Sequence, residues 1–457
     1  MAQVTSRPCR VTLSGCGDPA QDFGGDHKIL HRELSSASSA TIQTASNPAR
    51  ITMGKASFTT NPYPSLVLTE ADREMLLELE RDLIHEVFPK YEAFVVEDER
   101  KVKRAQWKAI GDDKNLHVYV ERKDWSDAEN EPMLSQDTSD NWQKHMPVIL
   151  AVGTFEGELN DLMFGTVNPT QQIMRVKASY VKDYSDGAVL ANIVLPTADD
   201  PFRSVSVKWT QINLPLNQTG LIQNRDFVCL ETTGILHFAS GDRVGYQLLH
   251  SIDFPQTKSF PGTIRAKHRI IGFYRQISHN VIDTFALDTV HPGGKVFRSV
   301  ALEASAKALL STTNYVICGQ AKKLTWKLQH RQAETRLERH RSSTRSILAG
   351  DKSCATCERN LGPGSFGLPR VGAFRKGTCK LCMSPVCLKC KRPKAISFLT
   401  PDGKLLRHKI TFCVKCISEV TQLDALPAAR DQAEGYQAYS VMASLSGSDV
   451  LSDDLDF

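Results

Sequence analysis

Eight of the chain's twelve cysteines fall in four Cys-x-x-Cys pairs: Cys354/Cys357, Cys379/Cys382, Cys387/Cys390 and Cys413/Cys416. Gaps of 21, 4 and 22 residues separate the pairs. A Cys-x-x-Cys segment turns tightly and aims both sulfurs to one side, which supplies half of a tetrahedral thiolate site. Four such knuckles complete two four-sulfur sites, and structural sites of that kind in small, loop-rich modules are usually zinc. Two Zn2+ ions are therefore expected. Disulfides are not, because the N-terminal residues hold no continuous apolar run of the kind that directs secretion, and thiols stay reduced inside the cell. The other four cysteines, Cys9, Cys16, Cys229 and Cys318, are scattered. Cys229 and Cys318 read as packed thiols rather than reactive ones.

The elements around the knuckles are thin. Residues 351–420 offer Leu381, Val386, Ile396, Phe398, Ile410 and Phe412 as their main core candidates. So small an interior is marginal alone. Structural zinc contributes roughly 10–16 kcal/mol in small peptides, so metal is expected to supply most of the folding energy there.

Charge is concentrated in the same region. Residues 320–345 hold eight Lys/Arg against two Glu, and residues 351–420 hold fourteen Lys/Arg against four acids. The tail 421–457 reverses this, with one Arg and seven acids. A basic block inside a chain of net charge +5 points to an anionic partner, either a membrane surface or nucleic acid.

Upstream the pattern changes. Residues 1–60 are rich in Ser, Thr, Gly and Ala and are expected to be disordered. Thr69 followed by Asp72 forms a helix start; Leu76, Leu79, Leu83 and Val87 continue it, and Pro89 is expected to end or kink it. A short strand is expected over 116–120. From 147 to about 290 the chain reads as repeated strand. Val205, Val207 and Trp209 oppose Ser206, Lys208 and Thr210, while Ile264, Ala266, His268 and Ile270 oppose Arg265, Lys267 and Arg269. Such strands make a curved antiparallel sheet with one polar face and one that must be covered. The Pro-free run after His291–Gly294 is expected to be a long covering helix, breaking near Gly319. Its basic extension over 331–350 reads as a linker, and residues past Leu426 as disordered. Trp209, His237 and Arg275 are tempting cavity residues, but their faces stay unassigned.

A curved sheet gripped by a long C-terminal helix is a helix-grip arrangement, an α+β fold. Arg225–Gly234, "GYQLLHSID", the "HPGG" segment and Gly157–Gly165 resemble the START lipid-transfer family over roughly 61–330. The resemblance implies an apolar cavity between sheet and helix that holds one lipid or sterol.

The cysteine spacing in turn resembles the FYVE finger, which implies a cross-brace over 351–420 with the first and third pairs on one zinc and the second and fourth on the other. The resemblance is partial. Around the third cysteine, Arg375, Lys376 and Lys380 keep the basic character, but Gly377 and Thr378 stand where the family has two histidines and Met383 where it has Gly. Thr411 replaces an arginine, and the finger has no Trp. Arg370, Arg375, Lys376 and Lys380 are the lipid or phosphoinositide contacts the resemblance implies, beside the apolar Phe366, Leu368, Val371 and Phe374.

Together these features predict a non-enzymatic lipid-binding adaptor in the cytoplasm, peripheral on endosomal membranes, with two Zn2+, a lipid ligand, and an anionic membrane or a protein as partner. No acid–base pair or activated nucleophile stands out in the sequence. A RING-like ubiquitin ligase or a protein-interaction finger is the alternative; Cys382 in place of a His ligand fits RING poorly. Nucleic acid is not expected, since the basic residues lack interleaved aromatics.

Overall fold

The computed structural model describes residues 61–435 apart from 65, 123–141, 182–184, 213–222, 239, 342–352, 362–376 and 400–404. Residues 1–60, Arg370, Arg375, Lys376 and the apolar residues 366–374 lie outside this set.

Helix α1 (Glu70–Val96) begins at a capping box. Thr69 Oγ1 accepts from the Asp72 N–H at 3.2 Å, and the Asp72 carboxylate accepts from the Thr69 N–H at 2.8 Å. Of the two outcomes expected at Pro89, an end is ruled out: the helix runs on through it to Val96. Val87, Phe88, Tyr91 and Phe94 are buried on both sides of it. That burial outweighs the cost of a mid-helix proline, about 3 kcal/mol.

The strands follow: β1 (Trp107–Asp113), β2 (Leu116–Glu121) and β3 (Val148–Glu156), then helices α2 (Leu159–Thr166) and α3 (Gln171–Val181). Next come β4 (Asp186–Val194), β5 (Ser204–Ile212), β6 (Asn224–His237), β7 (Arg243–Ser251), β8 (Thr263–Arg265), β9 (Lys267–Ser278) and β10 (Val281–His291). They form a ten-stranded sheet in the order β1-β2-β3-β10-β9-β7-β6-β5-β4, antiparallel along this path, with β8 added parallel to β6. Register shifts in β1–β2 and twice in β4–β5 mark local bends.

Both faces of the sheet are covered, which alters the expectation of one polar face. On the outer face, α1 packs on Leu150, Val152, Leu248, Ile271, Phe273 and Phe285. Val205, Val207 and Trp209 lie on this side too, with Leu76 and Tyr63. Ser206, Lys208 and Thr210, the polar set, point to the inner face and are buried as well.

The inner face is gripped by helices. α4 (Arg298–Leu310) sets Ala306 and Leu309 against Val118, Val120, Ile149, Ala151 and Ala286. The long helix breaks at Ser311–Thr312 rather than near Gly319, and α5 (Thr313–Arg341) continues through part of the expected linker. Gly319 instead serves close packing. A Cβ there would lie 1.9 Å from the Asp161 carbonyl oxygen, and one on Gly165 would lie 1.9 Å from that of Tyr315. Only glycine lets α2 and α5 meet backbone to backbone.

The cysteine-rich region contains a hairpin of β11 (Lys391–Leu399) and β12 (Leu405–Cys413), then α6 (Val414–Gln422). α7 (Leu426–Glu434) lies in the stretch expected to be disordered. Its Ala428, Ala429 and Ala433 are buried, and the Trp326 indole donates to the Asp431 carboxylate at 2.7 Å. Small alanines pack closely without adding much hydropathy, which is why composition concealed this helix. No helix among the described residues is long and apolar enough to cross a membrane.

Candidate functional site

The structure brings all eight paired cysteines into two groups, Cys354/Cys357/Cys387/Cys390 and Cys379/Cys382/Cys413/Cys416. This is the first-with-third, second-with-fourth arrangement that the finger resemblance implies. Backbone pairing builds it. The Ala355 N–H donates to Pro385 O at 3.0 Å, which seats the first knuckle on the segment leading to the third. The Lys380 N–H donates to Thr411 O at 2.9 Å, which seats the second knuckle on β12. The hairpin register then places Lys391 opposite Cys413. The third and fourth pairs are thus adjacent in the backbone, yet they serve different sites.

Within each group the sulfurs lie within 4.8 Å of one another. Cys357 and Cys387 are 3.7 Å apart, and Cys382 and Cys413 4.0 Å. A tetrahedral ion with Zn–S bonds of about 2.3 Å needs sulfurs about 3.8 Å apart, so the donors fit. Burial pushes the Cys354 thiol up, but the N–H groups of Cys387, Cys357 and Thr356 more than offset it and bring Cys354 down to about 6. A thiolate is the form that binds metal. Glu358 and Met383, each one residue past the second cysteine of a knuckle, have φ of 57° and 56°. That left-handed turn favours glycine, so each side chain adds strain to its knuckle. Lys380 is half-buried.

The finger is docked. Ser179 and Ser397 share a hydrogen bond at 2.7 Å, and the Ser397 N–H donates to the Tyr180 hydroxyl at 2.8 Å. The Lys323 ammonium reaches Asp161 at 2.7 Å and the Leu423 carbonyl at 2.6 Å, tying α5 to α2 and to the end of α6. One apolar cluster runs from Leu162, Val316 and Leu324 into Leu381, Ile396, Phe412 and Val420. The small interior of residues 351–420 is therefore completed by α2, α3 and α5, which their own composition did not show.

A second candidate site lies on the inner face of the sheet. Register aligns Asp288, Ile270, Leu249, Glu231 and Ser206 in one row across five strands. Glu231 is buried and accepts from Lys208 at 2.6 Å, Lys177 at 3.3 Å and Gln247 at 2.9 Å. Burial works against its charge, but the two lysines hold its carboxyl down at about 2. Leu249 and Ile270, mid-sheet and apolar, remain only half-buried. Phe227 stacks on the His268 ring, with centroids 4.5 Å apart. Cys229 in the next row is buried, and burial pushes its thiol up to about 12, as a packed thiol should behave. Trp209 and Arg275 lie on the outer face, where the Trp209 indole donates to Asp226 at 3.0 Å and Arg275 stacks on Phe238. His237 is exposed at the end of β6. Asp288 and Glu231 were not singled out in the sequence; an acid set among apolar residues within a strand run is the signal that marks them.

No family model matches this chain, and no curated protein does. Among solved structures it is similar to human STARD10, at 13% identity over 64% of this chain and 94% of that one, with a TM-score of 0.35. It is also similar to human StAR-related lipid transfer protein 5, at 12% identity over 53% of this chain and 97% of that one, with a TM-score of 0.36.

Proposed function

We propose that the chain is a non-enzymatic lipid carrier and adaptor, with a START-like unit within 61–330 and a FYVE-related finger of two zinc ions within 351–420. The observation that carries this reading is the inner face. Its centre presents Leu249 and Ile270, apolar and half-buried, with Ile270 at the edge of the cluster that α4 covers. Half-buried apolar side chains at the centre of a covered face are compatible with room for a ligand beside them. An acyl chain or a sterol body is the partner that would complete their burial.

Zinc is the ion best suited to two four-thiolate sites, and each would lock its two knuckles together. The finger would add placement at an anionic surface through Arg370, Arg375, Lys376 and Lys380, with endosomal membranes as the location. Support for this half is the surplus of basic residues over 351–420. A second reading, a protein-docking finger, is favoured by Leu388, which is 89% exposed in the third knuckle.

Native mass spectrometry of the full chain after incubation with mixed vesicles tests the proposal. Two zinc ions and a lipid-sized adduct are expected. Absence of any adduct would remove the carrier, and a metal count other than two would remove the finger. Flotation with and without phosphoinositide separates membrane placement from protein docking.

A further inference from the structure

Between α5, α6 and the β11–β12 hairpin, the docked finger leaves an open groove of about 190 Å3. Its floor is apolar. Leu324 and Val420 are buried there, Ile417 is half-buried, and Ile317 on α5 is 54% exposed. Its rim is basic, with Lys394 from β11 and Arg407 from β12, and none of the residues lining it is acidic. An exposed isoleucine alone is ordinary, but one that continues an apolar floor beside two cations selects a partner by chemistry.

Both cations have capacity for a carboxylate. Arg407 gives one N–H to the Ser179 carbonyl and lies over the Tyr180 ring, 5.1 Å from its centroid. A guanidinium has five N–H donors in a fork that matches a carboxylate, so others remain. Lys394 is exposed and makes no ion pair among the described residues. The groove therefore fits a peptide in which apolar side chains are interspersed with acids.

The chain carries such a segment. Residues 448–457 read "SDVLSDDLDF", with Asp449, Asp453, Asp454 and Asp456 set among Val450, Leu451, Leu455 and Phe457, and no basic residue. The segment follows α7, whose Asp431 accepts from the Trp326 indole and lies 3.2 Å from His330 Nε2, both on α5. From His330 back to Ala321 in the groove is nine residues of helix, about 14 Å. The fourteen residues from Gly435 to Asp449 span up to about 46 Å, so the groove is within reach. Tethering over such a length gives an effective concentration on the order of millimolar, which a separate partner would have to exceed.

We infer that the groove between α5, α6 and the hairpin holds the chain's own acidic segment, residues 448–457, with its carboxylates on Lys394 and Arg407 and its apolar side chains over Ile317. The inference is independent of the carrier reading, since it involves neither the sheet nor a lipid.

The test uses the full zinc-loaded chain with Phe457 replaced by the photo-reactive p-benzoylphenylalanine. The protein is irradiated and its cross-links are mapped by mass spectrometry. A product of single-chain mass is expected, with cross-links on peptides that contain Ile317, Lys394 or Ile417. Ile317→Asp, at an exposed position, should lower their yield about tenfold. Replacing Asp449, Asp453, Asp454 and Asp456 by Asn should lower it about fivefold, and Lys394→Glu should act in the same direction. The four Asn changes leave every lining residue in place, so they remain informative if Ile317→Asp does not fold, and circular dichroism checks each variant. Cross-links confined to other surfaces, no cross-link at all, or a yield indifferent to these changes would overturn the inference. A product of twice the chain's mass would overturn it too, and would assign the groove to a second copy.

Discussion

Asp288 sits against α4 with its carboxyl shut off from water, and that placement sets the sign of a pH effect. Its pKa in the folded chain, about 7, exceeds the ordinary 3.8 because burial disfavours the charge. The stability it contributes is fully present below pH 3.8 and is lost as pH rises through about 7. His268 acts in the opposite sense. Burial depresses it from 6.5 to about 4, so its contribution is present above pH 6.5 and lost as pH falls through 4. Asp288→Asn abolishes only the first dependence. The variant should melt several degrees above the wild type near pH 8, with the gap closing towards pH 4, in calorimetry across about that range. A gap that does not change with pH would show that burial is not what governs this carboxyl. Residue types carried part of this picture. The alternation over 264–270 sets His268 and Ile270 on one face, but a sheet covered on both sides gives no polar face from which to tell inner from outer. The cysteine knuckles were far more legible, because Cys-x-x-Cys spacing aims two sulfurs together, while which knuckles share a site was implied only by the finger resemblance.

At the scale of elements, α2 and α5 depend on two glycines. A methyl group on Gly319 would meet the Asp161 carbonyl oxygen, which is backbone and cannot swing aside. Gly319→Ala should therefore cost about 3 kcal/mol, the upper end for overpacking, and lower the urea midpoint of the whole chain. A midpoint within error of the wild type would mean that the two helices can separate freely. Sequence signals located the start of α1, because Thr69 and Asp72 cap it through local chemistry. They left the outcome at Pro89 open and misplaced the break at Ser311–Thr312, where tertiary burial and a hydrogen-bonded turn decide the outcome. The Ser311 N–H turns back to Lys307 O and Ala308 O at 3.1 and 3.2 Å, which ends α4 eight residues before the glycine that looked like a breaker.

At the scale of the molecule, the finger and the grip helices share one apolar interior. Treating the cysteine-rich stretch as a separate module undercounts its core, since Leu324 and Leu162 belong to it as much as Phe412 does. Removing metal with excess chelator should then lower the melting temperature of the whole chain in one transition. It should also raise amide hydrogen exchange along α3 and α5, which the finger touches through Ser179, Tyr180 and Lys323. Increased exchange confined to residues 353–420 would show that the shared interior does not couple the parts.

The glycine contact between α2 and α5 also has a bearing on traffic. Two backbones seated this closely cannot roll past each other, and Lys323 anchors the same helix to the finger. α4 is joined to α5 through the turn at Ser311–Thr312 and rests partly on the small side chains of Ala151 and Ala286. If a lipid is carried at the inner face as proposed, α4, hinged at that turn and seated on small side chains, is the helix whose lifting would set how long it stays.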